Sequence, residues 1–524
     1  MKFIHFASLF SVWGIVNVSS QKHDCSSLAS TQQAKNAVQI LTAIEVLPGS
    51  LNLSSNTGEG SIKNKFQLCQ VQGIIKYQAN PRNGKVEFDV NGNDTITWEL
   101  FLPDPENYNG RFLAVGNGGF AGTIDNSTML ENTNSGYAVS GCDSGHSLTD
   151  SENGIFLEDL GKTKTWIHDS IVMTTQVTRD IVAKYYARSP KYSYYSGCST
   201  GGAQGYSLAQ YHPELFDGIY AGSPGNWYSH LVLSFLWNGL HSTSGGYLSQ
   251  QVLNFITDNV LAACDDIDGV KDGVIGNPLK CHFDIMTLEC KQGQNLVNSS
   301  NRTLCLTSDQ LQAAQAIYAG PKDSRDYKEV YPGFDLGSEN AWLTQESVLY
   351  VDYTTPILQK LVFKNDNYNV STFNWGSDID RVDSIASPLI DAITPDLSAF
   401  NRRGGKLIST QGWADPYNAA AWPIQHLGQI QSALKNTNIN NFIRLFMVPG
   451  GGHCGANPLY RQVPATYHVL DPLVRWVEKG QKPEEILSSS PPDGSNTTRK
   501  LCPWPKVARF TGGDQSNWQS YECV

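Results

Sequence analysis

The stretch Lys191-Tyr192-Ser193-Tyr194-Tyr195-Ser196-Gly197-Cys198-Ser199-Thr200-Gly201-Gly202 reads as a strand that turns directly into a helix. Tyr192 to Ser196 is rich in strand-forming aromatics, and helical apolar spacing takes over from Ala203 to His212. Between them, Gly197-Cys198-Ser199-Thr200-Gly201 has the Gly-x-Ser-x-Gly form of a nucleophile elbow. A serine on so sharp a turn is forced into a strained backbone conformation, and side chains two residues to either side would collide, hence the glycines. The free N–H groups of the helix start then face the serine, where charge develops during attack on a carbonyl. The bland alternative is a tight structural Gly/Ser turn.

A serine nucleophile needs a base and an acid to orient it, and in elbow-bearing folds these follow in the order Ser, Asp, His. The histidines after the late strand patterns are His426, His453 and His468. His426 and His468 fall in helical patterns, Ala419 to Leu434 and Val463 to Lys479. His453 follows the strand-like run Phe442 to Val448 on Gly450-Gly451-Gly452, a setting suited to a proton shuttle. Asp415, in Gly412-Trp413-Ala414-Asp415-Pro416 just past the apolar run Leu407 to Ser409, is the candidate acid; an Asp-Pro turn is its bland reading. The backbone N–H of Thr200, with that of Gly118 or Gly119 in the loop after Arg111 to Val115, is expected to hold the oxyanion.

Cys198 precedes the candidate nucleophile and Cys454 follows the candidate base. A bond between them would fix the serine elbow against the histidine loop, and each assignment would then support the other. Alternatively Cys198 is a small buried residue and Cys454 pairs elsewhere. The chain has 11 cysteines, so at least one is left over.

The 524 residues include 40% hydrophobic and 17% charged, enough to bury a large core. Residues 1–20 read as a secretory leader: Lys2, an apolar run from Ile4 to Val18, and small residues before Gln21. The many cysteines and the sequons at Asn52, Asn93, Asn126, Asn298, Asn301, Asn369 and Asn496 suit an exported, disulfide-bonded chain. No later segment is apolar enough to span a membrane. A net charge of −11 without clustered Lys and Arg excludes nucleic acid as a partner.

Alternating strand and helix patterns predict an α/β fold of the α/β-hydrolase type, with a mainly parallel central sheet. Residues 21–226 form the first part of the core with the nucleophile, and 396–524 the second part with Asp415 and His453. Between them, 227–395 is aromatic-rich and turn-rich and reads as an inserted lid. Its aromatics Trp227, Tyr228, Phe235, Trp237, Trp342 and Trp375 could line an apolar pocket, but for any single one the insertion's own core is the favoured reading. Within it, Cys264 to Ile275 packs Asp265, Asp266, Asp268 and Asp272 among glycines. That density suits Ca²⁺, although the spacing is not that of an EF-hand and a plain Asp-Gly hairpin fits as well.

On Gly116-Asn117-Gly118-Gly119, Gly197 to Gly202, Cys264-Asp265 through Asp272-Gly273, Asp415, Gly452-His453-Cys454 and Cys523, the chain resembles the fungal tannase and feruloyl esterase family. The resemblance covers most of the mature chain. It implies Ser199, Asp415 and His453 as the triad and a Cys198–Cys454 bond. It also implies a structural lid calcium on Asp265, Asp268 and Asp272 with the carbonyls of Val270 and Val274. Further bonds implied are Cys25–Cys69, Cys264–Cys281, Cys290–Cys305 and Cys502–Cys523, leaving Cys142 unpaired. The implied activity is hydrolysis, without a redox cofactor, of small phenolic esters or feruloylated oligosaccharides, with gallate esters as the runner-up. Two further alternatives are a serine carboxypeptidase and a non-catalytic binding protein that kept the scaffold.

Overall fold

The computed structural model describes residues 24–30, 37–54, 60–79, 86–152, 154–346 and 348–524. The leader reading of 1–20 lies outside them. The core is a ten-stranded sheet. Its strands are β1 (Val38–Val46), β2 (Leu68–Ala79), β3 (Val86–Phe88), β4 (Asp94–Pro103), β5 (Arg111–Val115), β6 (Ala138–Cys142), β7 (Tyr192–Cys198), β8 (Gly218–Gly222), β9 (Lys406–Gly412) and β10 (Ile443–Val448). They lie in the order β1-β2-β4-β6-β5-β7-β8-β9-β10, with β3 on β2.

The six strands β6-β5-β7-β8-β9-β10 are mutually parallel. The four from β1 to β4 pair antiparallel, and β4 joins β6 antiparallel. The sheet is thus mixed rather than mainly parallel. The physical reason lies in the burial of its two halves. β10, Ile-Arg-Leu-Phe-Met-Val, is buried along its whole length, as a parallel strand covered on both faces must be. β1 instead leaves Leu41 and Ile44 more than half exposed, which an antiparallel edge tolerates.

Helices cover the parallel half on both sides. On one face α1 (Asn126–Thr133) and α8 (Leu470–Lys479) bury Met129, Leu130, Leu473 and Trp476 against Leu113, Ile408 and Phe446. On the other, α2 (Ser170–Tyr185), α3 (Thr200–Tyr211) and α7 (Ala421–Ala433) bury Ile181, Leu208 and Ile430 against Leu407 and Ile443. Adjacent Leu407 and Ile408 therefore serve opposite layers, as strand geometry requires. The helical reading of Val463 to Lys479 needs correction. The helix starts only at Leu470, because Thr466–Tyr467 pair as a short strand with Ser488 and Ser489. His468 consequently lies outside the helix, its Nε2 2.7 Å from Ser489 Oγ.

Between β8 and β9 the chain leaves the sheet and builds a helical insertion containing α4 (Tyr228–His241), α5 (Gln250–Cys264) and α6 (Ser308–Ala319). One apolar cluster, with Leu253, Ile256, Ile317 and Trp342, belongs to the insertion itself. A second joins Leu231, Phe235 and Leu358 to Phe120, Phe156 and Trp166 of the core, so the insertion is packed onto the sheet's carboxyl end. Disulfides join Cys25–Cys69, Cys198–Cys454, Cys264–Cys281, Cys290–Cys305 and Cys502–Cys523, and Cys142 is free and buried. These are the pairs that the resemblance implies. Such a set fits an oxidising, extracellular setting. Among the described residues no helix is long and apolar enough to cross a membrane. All the sequon asparagines are exposed except Asn126, which is half-buried at the start of α1.

Candidate active site

Ser199 sits between the end of β7 and the start of α3 at φ 63° and ψ −121°. The left-handed φ is the strain an elbow imposes. Its neighbours show why glycine is needed: a Cβ on Gly197 would lie 2.6 Å from the Gly201 carbonyl oxygen, and one on Gly202 2.6 Å from that of Gly222. The amide of Ser199 is tied to Gly222 O at 3.0 Å, fixing the turn to the neighbouring strand.

Asp415 follows β9 and is buried. Its Oδ1 accepts from the amides of Tyr417 at 2.8 Å and Asn418 at 3.1 Å, and its Oδ2 from Gln411 Nε2 at 2.9 Å. His453 Nδ1 lies 2.8 Å from Oδ2 and 3.0 Å from Oδ1. Burial by itself would raise the Asp415 pKa, but the His453 imidazole and the two amides outweigh it and hold the carboxyl below its ordinary value. With Nδ1 on the carboxylate, the other ring nitrogen is left for the cavity, the arrangement a general base requires. The sulfur bond between Cys198 and Cys454, with Cα atoms 5.8 Å apart, brings the serine and histidine segments together.

The loop Gly116–Gly119 crosses the start of α3. Its first two amides are engaged, Gly116 N with Ser196 O at 2.9 Å and Asn117 N with Gln204 Oε1 at 3.1 Å. Its carbonyls are engaged too, Asn117 O by Gly201 N at 2.7 Å and Gly119 O by Thr200 Oγ1 at 2.9 Å and Trp166 Nε1 at 3.2 Å. Gly118 and Gly119 line the cavity beside Ser199. Thr200, the first residue of α3, has no intrahelical acceptor for its amide.

Ser199 and His453 line one cavity of about 900 Å³. One wall is aromatic: Tyr228, Leu231 and Phe235 along α4, with Tyr353 from the insertion and Tyr417 from the loop after Asp415. Tyr417 lies against the His453 ring, centroids 4.5 Å apart. Reading the insertion's aromatics as its own core holds for Trp342, which is buried. It fails for Tyr228 and Phe235. The signal was present in the spacing, since 228, 231 and 235 share one face of a helix. Of the other histidines, His426 is buried in α7, with its Nδ1 3.0 Å from Asn226 Nδ2.

The acidic segment after α5 is drawn into a compact loop. Asp265 accepts from the amides of Gly273 and Val274, each through Oδ1 at 3.0 Å. Asp272 Oδ2 is 2.6 Å from Arg499 Nη2, while its Oδ1 is buried with no hydrogen-bond partner among the described residues. Burial and then the Asp272 charge push Asp268 up to about 7. Among the described residues no three His, Cys, Asp or Glu side chains converge as a metal site. The chemistry of the set still fits a hard cation: close carboxylates that repel one another and a buried oxygen left unsatisfied.

The family model described as tannase and feruloyl esterase matches residues 84–524. A probable feruloyl esterase of Arthroderma benhamiae is 29% identical over 100% of this chain and 97% of its own. Feruloyl esterase C of Talaromyces stipitatus is 30% identical over 84% of each chain. The solved structure of feruloyl esterase B from Aspergillus oryzae matches with a TM-score of 0.82 at 24% identity, covering 95% of this chain and 99% of that one. The tannin acyl hydrolase from Aspergillus niger matches at 0.78 with 21% identity, covering 95% and 94%. The protein is a carboxylic ester hydrolase. The chain belongs to the tannase and feruloyl esterase family.

Proposed function

We propose that the protein is a secreted serine esterase that releases ferulate and related hydroxycinnamates from plant cell-wall esters. The observation that carries this reading is a single cavity shared by Ser199, His453 and an aromatic wall able to take a flat phenolic ring. His453 takes the proton from Ser199 Oγ as the oxygen attacks the ester carbonyl, and Asp415 stabilises the imidazolium. The N–H groups of Thr200 and of Gly118 or Gly119 hold the oxyanion. The tetrahedral intermediate collapses with loss of the alcohol, protonated by His453, and leaves an acyl-Ser199 ester. Water, deprotonated by the same histidine, then releases the acid and restores the serine. The insertion acts as a lid that supplies the aromatic wall, and Ca²⁺ on Asp265, Asp268 and Asp272 with the Val270 and Val274 carbonyls braces it without entering the chemistry.

Free acid released from methyl ferulate and methyl gallate by the wild type and by Ser199→Ala tests the reading. Ferulate release that falls by at least about 10³-fold in the variant is expected. Release of gallate alone would move the acyl group to gallate, and activity retained without Ser199 would overturn the mechanism. Recovery of the protein from culture medium with Gln21 as its first residue is the expected result for export.

A further inference from the structure

The cavity does not end at the aromatic wall. Beyond Ser199 it continues as a groove on the α1 and α8 face of the sheet, running between α1 and the segment 466–471. Tyr137 and Tyr220 line its depth. Asp125, Glu131 and Asn132 stand on the α1 bank, and His468 and Asp471 on the other. Glu131 and Asp471 are exposed and have no ion-pair partner among the described residues. No Lys or Arg lines any part of the cavity among the described residues.

Ester chemistry decides which half of a substrate enters this groove. His453 must deliver a proton to the leaving oxygen, so the alcohol half departs on the imidazole's side. From His453 the cavity wall runs on through Cys454, Ala456 and Ala465 to Thr466 and His468, which is the bank of the groove. The acyl half is left to the aromatic wall of α4 and Tyr353. The two ends therefore differ as the two halves of a sugar phenolate ester differ. Carboxylates and an amide accept hydrogen bonds from hydroxyls, tyrosine rings cover apolar sugar faces, and exposed carboxylates on both banks, with no Lys or Arg in the lining, disfavour a uronate.

We propose that this groove binds the alcohol half of the substrate as a neutral saccharide, with Glu131 and Asp471 as specificity-determining residues. The proposal rests on the esterase reading above. The test compares kcat/KM for a feruloylated neutral pentose trisaccharide and for methyl ferulate. The wild type is expected to favour the saccharide ester at least about tenfold, one good pair of hydrogen bonds at the alcohol end. Glu131→Ala with Asp471→Ala should bring that ratio down by about the same factor. Asp180→Ala, on exposed α2 surface outside the cavity, should leave the ratio as it was. A ratio unmoved by the double substitution would overturn the groove assignment. If the wild type cleaves neither ester, the esterase reading fails, and calorimetry of the unesterified trisaccharide on the Ser199→Ala protein decides the groove. Binding lost on adding the double substitution supports it; no binding to either protein sinks it.

Discussion

Ser199 is held at φ 63° at a cost on the order of 1–3 kcal/mol, so its surroundings must over-determine the turn. Gln204 is the residue that ties those surroundings together. It is fully buried on α3. Its Oε1 accepts from Asn117 N at 3.1 Å and Tyr195 Oη at 3.2 Å, and its Nε2 donates to Asn117 Oδ1 at 3.1 Å and Trp166 O at 2.8 Å. One amide thus locks the glycine loop 116–119, the proposed source of an oxyanion donor, onto the helix that starts beside Ser199. Gln204→Met keeps the volume and removes the bonds. Its kcat per active site, counted by titration with an irreversible phosphonate, should fall about 10²-fold with KM changed by less than about threefold. Unchanged turnover per titrated site would reduce Gln204 to a packing residue. Nothing in the letters around 204 announces this role, because it depends on contacts with residues 117 and 166. The elbow itself was readable, since its constraint is local and glycine is the only residue that meets it.

At the level of strands and loops, the segments that end at the sheet's carboxyl edge were the readable ones. β5, β7, β9 and β10 each run from an apolar stretch into a glycine-marked loop, and those loops carry Gly118, Ser199, Asp415 and His453. The antiparallel half leaves no such trace in the sequence, because β1 to β4 carry no chemical marker and β1, at the edge, is largely exposed. The apolar period before Lys479 suggests too long a helix, since it continues through Pro464 and the Thr466–Tyr467 pairing. The Cys198–Cys454 bond connects two of the marked loops, with its Cα atoms 5.8 Å apart and 256 residues of chain between them. A misplacement of about 1 Å between nucleophile and base can cost about 10²-fold in rate. Replacing both cysteines by alanine should therefore lower kcat/KM at least about tenfold at a temperature where the protein stays folded. The matched pair Cys502→Ala and Cys523→Ala, outside the cavity lining, should lower Tm and keep kcat/KM within about threefold. Equal losses of activity in the two pairs would show that the bond acts on stability alone.

Across the molecule, the insertion meets the C-terminal strands Arg499–Leu501 and Ala508–Phe510 at the carboxylate loop. Asp272 reaches out of the insertion to Arg499 at 2.6 Å, and Asp268 O accepts from Phe510 N at 3.0 Å, so this loop touches the C-terminal strands. The sequence showed the density of carboxylates but could not show this second contact, which lies more than 200 residues away. Without a cation, the loop gathers like charges in a partly dry place, and burial and Asp272 together push Asp268 up to about 7. Ca²⁺ bound as proposed would reverse that repulsion, and at about one hundred times its Kd would add about 2.7 kcal/mol to folding. Stripping the protein with EGTA should lower Tm by at least about 2 °C, and added Ca²⁺ should restore it. Mg²⁺ should restore it poorly, because Mg²⁺ demands near-ideal octahedral geometry and gives up its waters reluctantly. Asp268→Asn should abolish the response to both EGTA and Ca²⁺. A Tm indifferent to EGTA, with no calcium found in the purified protein, would leave the loop as an acidic turn held by Arg499 and the amides of Gly273 and Val274.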